Sequence, residues 1–204
     1  MITDLGFLQP VTRMKVVVTF MRMNTATATP ALTLPDGWVL EDDVHLSVPQ
    51  YRSLHFGVGR QCCWWMRQVL SDKALGQLLA TAPIKIGLLR EHGHIRGFYE
   101  LNLTDPENVN LAYFGLLPEA IGQGVGRAFL DGVVRRAWAS NPRTVRVNTC
   151  TADHPRALPP YQQMGLTVIR RVEEARTEER RGGEAGRLRW APSPAKTNMK
   201  LLRH

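Results

Sequence analysis

A glycine-rich turn, Gly122-Gln123-Gly124-Val125-Gly126, is the part of this sequence best suited to binding a ligand. It lies between a strand-like run, residues 111–117, and a helical pattern that extends from about Val125 to Ser140. Glycines at the start of a helix let backbone N–H groups approach an anion closely, and the helix dipole favours negative charge there. We therefore expect the turn to bind the diphosphate of a nucleotide-like cofactor.

Two familiar phosphate-binding patterns do not fit this turn. A P-loop needs Lys followed by Ser or Thr after its last glycine, but Arg127-Ala128 follows Gly126. A dinucleotide-binding turn needs a glycine at the sixth position from Gly122, and that position is Arg127. The remaining alternative is a turn that only leads into the helix and binds nothing.

The surrounding sequence resembles the acetyl-CoA loop of the GNAT acetyltransferases. That family has Arg/Gln-x-x-Gly-x-Gly/Ala between a strand and a helix, and Gly124 and Gly126 occupy the glycine positions here. Ile121 replaces the leading Arg or Gln, which removes one side chain but keeps the backbone amides that bind the diphosphate.

A second segment resembles the same family. Ala157, Tyr161 and Gly165 have the spacing of its Asn-x-x-Ala-x-x-x-Tyr-x-x-x-Gly-Phe pattern, with His154 in place of Asn and Leu166 in place of Phe. The string Ala-Tyr-Phe-Gly-Leu-Leu-Pro-Glu is similar to a bacterial subgroup whose substrates are mostly unassigned. The resemblance covers about residues 38–172 and is thin before Ile84.

The resemblance implies an acyl-CoA N-acyltransferase fold and direct transfer of an acetyl group from acetyl-CoA to a primary amine in a ternary complex. The acceptor would be a small amine, an amino sugar, or an amino group of a peptide or protein, and no metal is implied. Backbone N–H groups near the end of the strand would stabilise the developing oxyanion. The cofactor-binding residues implied in this way are Gly115, Leu116, Leu117, Gly122, Gln123, Gly124, Val125, Gly126, Arg127 and His154.

Tyr161 is our candidate general acid. A phenol can donate a proton to a departing thiolate at neutral pH, and the spacing from Tyr161 to Gly165 fits the family. Pro159 and Pro160 fit a helix that begins there, since the first turn does not need their N–H groups. The alternative is a tyrosine that only packs its ring against the core.

Glu100 is our candidate general base. It lies near the end of an otherwise apolar strand, Gly97-Phe98-Tyr99-Glu100-Leu101, and faces either water or a cleft. Partial burial would raise the pKa of its carboxyl and let it take a proton, directly or through water. The alternative is an ordinary solvent-facing carboxylate at a strand edge.

Each of three other features has two interpretations that the sequence leaves open. Arg127 could contact a phosphate or lie in solvent, and His154 could contact the cofactor or cap the segment that begins at Pro155. The run Cys62-Cys63-Trp64-Trp65 could line the acceptor pocket, which the resemblance places in residues 49–80, or could pack in the core.

The order of elements predicts an α/β (α+β) domain with a mixed, mainly antiparallel central sheet and helices on both faces. Strand patterns cover residues 37–40, 84–89, 95–103, 111–117, 144–151 and 166–172; helical patterns cover 49–80 and 125–140. Glu91-His92-Gly93-His94 predicts a hairpin between two of these strands, and Ser71 is a candidate cap for the last part of the first helical region. We expect an N-terminal appendage and linker at residues 1–35, the acetyltransferase domain at 36–172, and a basic extension at 173–204. Met1, Met14, Met21 and Met23 are each a candidate start.

Composition narrows the functional classes. The chain has 204 residues and a net charge of +8, and residues 170–204 contribute +5 of that charge. A basic tail can bind nucleic acid, but this one mixes both signs and has few aromatic residues, which favours a solvated extension. A non-catalytic acyl-CoA-binding module or a basic nucleic-acid-binding module on the same scaffold is the alternative function, and a homodimer stays open.

The sequence has no apolar run of membrane-spanning length and no signal-peptide pattern, so we expect a cytoplasmic protein without membrane contact. Its three cysteines form no CxxC pair, which predicts neither a zinc site nor a disulfide framework.

Overall fold

The computed structural model describes residues 11–60, 62, 64, 66–179 and 189–190 of the chain. Within these residues it contains eight strands and four α-helices. The strands are β1 (Val11–Met23), β2 (Trp38–Glu41), β3 (Ile84–Glu91), β4 (His94–Asn102), β5 (Asn108–Leu116), β6 (Thr144–Cys150), β7 (Thr167–Glu179) and β8 (Arg189–Trp190). The helices are α1 (Val48–Gly59), α2 (Asp72–Thr81), α3 (Gly126–Trp138) and α4 (Leu158–Gln163).

The described strands form one sheet in the order β2-β3-β4-β5-β6-β1-β7-β8. Strands β5 and β6 run parallel, and α3 connects them. Every other neighbouring pair is antiparallel. The predicted mixed, mainly antiparallel sheet is therefore confirmed.

Helices cover both faces of this sheet, as predicted. Successive side chains of a strand point to opposite faces, and β4 shows this alternation. Phe98 packs in one buried cluster with residues of α1 and α2, while Tyr99 packs in a second cluster with residues of α3 and α4. We call these two sides of the sheet the α1 face and the α3 face.

Strand β1 is the main departure from the sequence-based prediction. Residues 11–23 lie inside the sheet, between β6 and β7, where an appendage was expected. Val16, Val18 and Met21 are almost fully buried, because alternating apolar residues place one side of the strand in the core. The apolar run at residues 16–21 is thus part of a central strand.

The segment after β1 is held on helix α3. The buried carboxylate of Asp131 accepts a hydrogen bond from the backbone N–H of Leu32 (2.9 Å), and Arg135 donates one to the carbonyl of Thr29 (2.7 Å). The expected linker therefore packs on the domain.

The far end of the sheet also extends past the expected boundary. Strand β7 continues beyond residue 172 to Glu179, and residues 189–190 pair with it as β8. Of the expected basic extension, residues 180–188 and 191–204 lie outside the described residues, as do residues 1–10 of the expected appendage.

Several local predictions are confirmed. The helical region 49–80 contains α1 and α2, and the Ser71 hydroxyl caps α2 by accepting a hydrogen bond from the N–H of Ala74. The β3–β4 connection is a tight hairpin in which His92 and Gly93 both have positive φ, which glycine adopts without strain.

Membership of β1 in the core can be tested at Met21. Met21→Ala should lower the free energy of unfolding by about 2–5 kcal/mol, because it leaves a cavity in the buried cluster on the α3 face, to which Met21 belongs. The control is Arg22→Ala, the next residue, whose side chain is exposed and should change stability by less than about 0.5 kcal/mol. Urea denaturation measures both, and equal effects of the two changes would contradict a buried β1.

Candidate active site

The glycine turn leaves the amino terminus of α3 open. Gly122 and Gly124 have φ of +88° and +80°, and a Cβ added to either would meet no atom within 4 Å. Helix α3 begins at Gly126 and no side chain caps it, so the N–H groups of its first turn have no partner inside the helix. The turn can therefore accept an anion at these amides.

Strand β5 separates from β6 as it approaches this turn. The parallel pairing runs from Asn108–Thr144 to Leu111–Val147, whereas the two strands continue to Leu116 and Cys150. The register between β4 and β5 also shifts at this level, where Glu100 pairs with Tyr113 but Leu101 pairs with Leu111. Such a bulge bends the strand locally, and the result is an opening between β5 and β6.

The N–H of Leu116 points toward this opening. Leu117 is extended and donates its N–H to the carbonyl of Arg96, at the β4 side of the strand (2.7 Å). Because successive N–H groups along an extended chain point to opposite sides, that of Leu116 points away from β4. Leu116 lies at the end of the strand, where the oxyanion donor was expected, and its N–H thus lies on the β6 side of β5.

Tyr161 lies beside β5 on the α3 face. It belongs to α4, where Pro159 and Pro160 occupy the first turn as expected, and its ring packs edge-on against Phe114 with centroids 6.4 Å apart. Burial, reinforced by the charge of Asp153, raises the pKa of its phenol above the ordinary value. The hydroxyl therefore keeps its proton at neutral pH.

Arg127 and His154 are both exposed. The Nδ1 atom of His154 accepts a hydrogen bond from the N–H of Arg156 (3.1 Å), within the loop between β6 and α4. The backbone of His154 also hydrogen-bonds the thiol of Cys62, although burial raises the pKa of that thiol overall. This loop thus contacts the segment that follows α1.

Glu100 lies on the α1 face and is completely buried. One carboxylate oxygen accepts a hydrogen bond from the hydroxyl of Tyr51 (2.6 Å), and the other accepts one from Arg67, with which it forms an ion pair. Burial and the nearby carboxylate raise the pKa of Tyr51. Both oxygens of the candidate base are therefore engaged by protein donors, and neither faces open water.

His55 packs against the same cluster. Its ring stacks on Tyr51 (5.7 Å between centroids) and contacts Tyr113 edge-on (4.7 Å) and Trp64 (5.4 Å). Burial, followed by the charges of Arg67 and then Arg52, lowers the pKa of His55 to about 3. The imidazole is therefore neutral at physiological pH, and its Nε2 atom is buried without a hydrogen-bond partner.

A cavity of about 190 Å³ adjoins this cluster, between α1 and the connection to α2. Its lining consists of Tyr51, Arg52, His55, Phe56, Arg67, Gln68 and Leu75.

Sequence reasoning did not single out Tyr51, His55 or Arg67. A signal exists for the first two, because polar residues four apart share one face of a helix.

The predicted site residues fall into two groups. The end of β5, the glycine turn and the start of α3 are contiguous, and Tyr161 packs beside them on the α3 face. Glu100 lies on the opposite face of the sheet with Tyr51 and Arg67. Of the Cys-Trp run, Trp64 packs against His55 and Tyr113, while Cys63 and Trp65 lie outside the described residues.

The fold is that of known acetyltransferase structures. One named as a GCN5-related N-acetyltransferase from Sphaerobacter thermophilus superposes with a TM-score of 0.59 at 16% identity, covering 76% of this chain and 49% of that one. Another, from Kribbella flavida, gives 0.56 at 14% identity, covering 88% and 63%. A tandem GNAT protein from the clavulanic acid biosynthesis pathway gives 0.56 at 12% identity, covering 76% and 51%.

These comparisons establish the acyl-CoA N-acyltransferase fold and confirm, at that level, the resemblance carried by the motifs. This chain spans about half the length of the Sphaerobacter and tandem structures. No protein-family model and no curated protein matches the sequence.

Neither a cluster of metal ligands nor a membrane-spanning helix is present in the described part of the chain. No group of three or more His, Cys, Asp or Glu side chains there could hold a metal ion. None of the helices described is both long and apolar enough to cross a membrane.

The buried neutral His55 predicts a stability loss in acid. Its pKa is about 6.5 unfolded and about 3 folded, so the unfolded chain binds the extra proton as pH falls from about 6.5 toward 3. Stability should fall across that window by at most about 1.4 kcal/mol per pH unit from this residue. In His55→Leu the decline should be shallower, measured by urea denaturation at pH 4.5, 5.5 and 7. Parallel pH profiles for the two proteins would contradict a buried neutral imidazole.

Proposed function

We propose that this protein is an acetyl-CoA-dependent N-acetyltransferase that transfers an acetyl group to a primary amine in a ternary complex. The observation that supports this most is the position of the opening between β5 and β6. It lies beside the glycine turn, so one extended ligand could reach from the start of α3 into the sheet.

The residues present fit coenzyme A. The open space at Gly122 and Gly124 and the uncapped first turn of α3 suit a diphosphate. Residues 115–117 would supply backbone groups to the pantetheine arm, and Gln123, Val125 and Gly126 complete the turn. Arg127 and His154 are both exposed, and we expect them to contact the outer part of the ligand.

Two residues of the chain, Leu116 and Tyr161, would assist the transfer step. The amide of Leu116 stabilises negative charge on the carbonyl oxygen as the amine nitrogen attacks the carbonyl carbon. The carbon–sulfur bond then breaks, and Tyr161 gives its proton to the departing thiolate.

The amine must also lose a proton, and Glu100 remains our candidate for accepting it, directly or through water. That role requires the carboxylate to exchange one of its present partners, Tyr51 or Arg67, for the proton of the amine. The acceptor would be a small amine, an amino sugar or an amino group of a peptide or protein.

The central test is whether the protein binds coenzyme A and turns it over. Calorimetry with coenzyme A or acetyl-CoA should show binding, and a panel of amines should release free thiol from acetyl-CoA. Binding without thiol release for any amine would indicate a non-catalytic acyl-CoA-binding module instead. A correctly folded protein that binds neither ligand would rule out the proposal.

Gly124 tests the anion site. Gly124→Ala should weaken binding of coenzyme A by about tenfold, because an L-residue at this positive φ is strained by roughly 1–2 kcal/mol and shifts the amides. Gly93→Ala is the matched control, with a similar φ of +84° and equally open surroundings in the β3–β4 hairpin. Calorimetry should show ordinary affinity for the control. Equal affinities for both variants would place the ligand elsewhere.

Tyr161 tests the chemistry. Tyr161→Phe should lower kcat by roughly a hundredfold, the usual contribution of a general acid, and leave the Kd for acetyl-CoA unchanged. Tyr99→Phe removes the same atom from another buried tyrosine, which bonds Asp42 on the α3 face, and should retain kcat. Steady-state thiol release and calorimetry separate the two effects, and a Tyr161→Phe enzyme with normal kcat would exclude Tyr161 as the acid.

A further inference from the structure

The cavity beside α1 has a charge pattern that the proposed reaction does not explain. Its two charged lining residues are Arg52 and Arg67, and no acidic side chain lines it. Glu100, the partner of Arg67, has both oxygens engaged. Asp72, the partner of Arg52, is largely exposed to solvent outside the lining. A ligand entering the cavity therefore meets positive charge.

Two buried polar atoms of the same lining have no hydrogen-bond partner. They are Nε of Arg67 and Nε2 of His55. A guanidinium N–H can only donate, and a neutral imidazole can carry its proton on Nε2 and donate as well. Both atoms are shielded from solvent as the structure stands. Leaving such groups unpaired in a buried site is unfavourable, so either side chain would gain a hydrogen bond by turning toward an acceptor bound in the cavity.

The rest of the lining favours a singly charged organic group. Tyr51, Phe56 and Leu75 contribute mostly apolar surface, and the charge of Arg67 is already partly balanced by Glu100. A carboxylate has one charge and two acceptor oxygens, which guanidinium groups bind well. A phosphate would bring more charge than this lining balances.

The cavity is connected to the opening at β5 through aromatic side chains. His55 contacts Tyr113 of β5, and Trp64 contacts both of them. Gly115 also lies against α1, since a Cβ there would lie 2.4 Å from a methyl group of Val58. A molecule in the cavity would therefore lie on the α1 side of the strand whose end forms the proposed transfer site.

We propose that this cavity binds a carboxylate carried by the acceptor, so that the acceptor is an amino acid-like molecule with an amine at one end and a carboxylate at the other. This inference rests on the proposed acetyl transfer for the identity of the reacting end. The carboxylate site itself stands on the charges and unpaired donors of the lining.

The test compares acceptors that differ in one group. Glycine, 4-aminobutyrate and 6-aminohexanoate are assayed for thiol release from acetyl-CoA beside their primary amides, which lack the charge but keep the length. At the best length, kcat/KM should be about ten- to a hundredfold higher for the carboxylate, the range expected for hydrogen bonds to a charged group. The length of the acceptor with the largest preference also indicates the distance between the cavity and the transfer site.

Two variants assign the preference to the cavity. Arg52→Gln removes one positive charge and leaves Asp72 in solvent; Arg67→Lys keeps a charge beside Glu100 but removes Nε. Either variant should reduce the preference for the carboxylate by about tenfold while its Kd for acetyl-CoA stays normal. Arg143→Gln is the control, because it removes a surface charge that is paired with Glu107 and lies outside the lining. It should leave the preference unchanged.

The outcomes separate this inference from the proposed function. Amides that match or exceed the carboxylates at every length would overturn the carboxylate site even if acetyl transfer occurs. So would a preference that survives in both variants. If no compound is acetylated, calorimetry of the same pairs decides: carboxylate-selective binding lost in Arg52→Gln supports the site, and its absence overturns it. Binding of acetyl-CoA, measured without acceptor, tests the proposed function separately.

Discussion

The partial pairing of β5 constrains the whole candidate site. This strand is bonded along its length to β4 but pairs with β6 only through Leu111. Its remaining residues therefore keep one backbone edge free in the interior of a folded domain, where unpaired amides are otherwise rare. The glycine turn and α3 follow directly from that strand, so only nine residues of chain separate its free edge from the helix amino terminus.

A second constraint acts on the other face of the sheet. The ion pair between Glu100 and Arg67, with the added bond from Tyr51, ties the connection after α1 to the middle of β4. Removing one partner of a buried ion pair leaves an uncompensated charge. Each of these three residues therefore depends on the other two to remain buried in its position. Two members of this cluster, Tyr51 and Arg67, also line the cavity.

The sequence alone predicts those features whose cause is local. The glycine turn, the Ser71 cap, the His92–Gly93 hairpin and the two-proline start of α4 each follow from residue types at short spacing. The type of sheet followed from the order of elements. At the candidate site, local pattern was enough for the turn and for the helix that carries Tyr161.

Features that depend on distant residues were missed. Nothing near residue 16 shows that its strand pairs with residues about 130 and 160 positions away, so β1 was taken for an appendage. In the same way, the alternation of side chains along β4 does not tell which face of the sheet Glu100 occupies. Glu100 is buried by contacts with Arg67 and Tyr51, which belong to distant parts of the chain.

The position of β1 also has a consequence for how the chain folds. The first strand described, β1, cannot pair in the sheet until β6 and β7 are available, and these two strands come more than 120 residues later in the sequence. Contacts of such large sequence separation slow folding, because the intervening loop loses entropy before the contacts form. During synthesis on the ribosome, residues 11–23 emerge before β6 and β7, so their apolar side has no partner until translation has passed those strands.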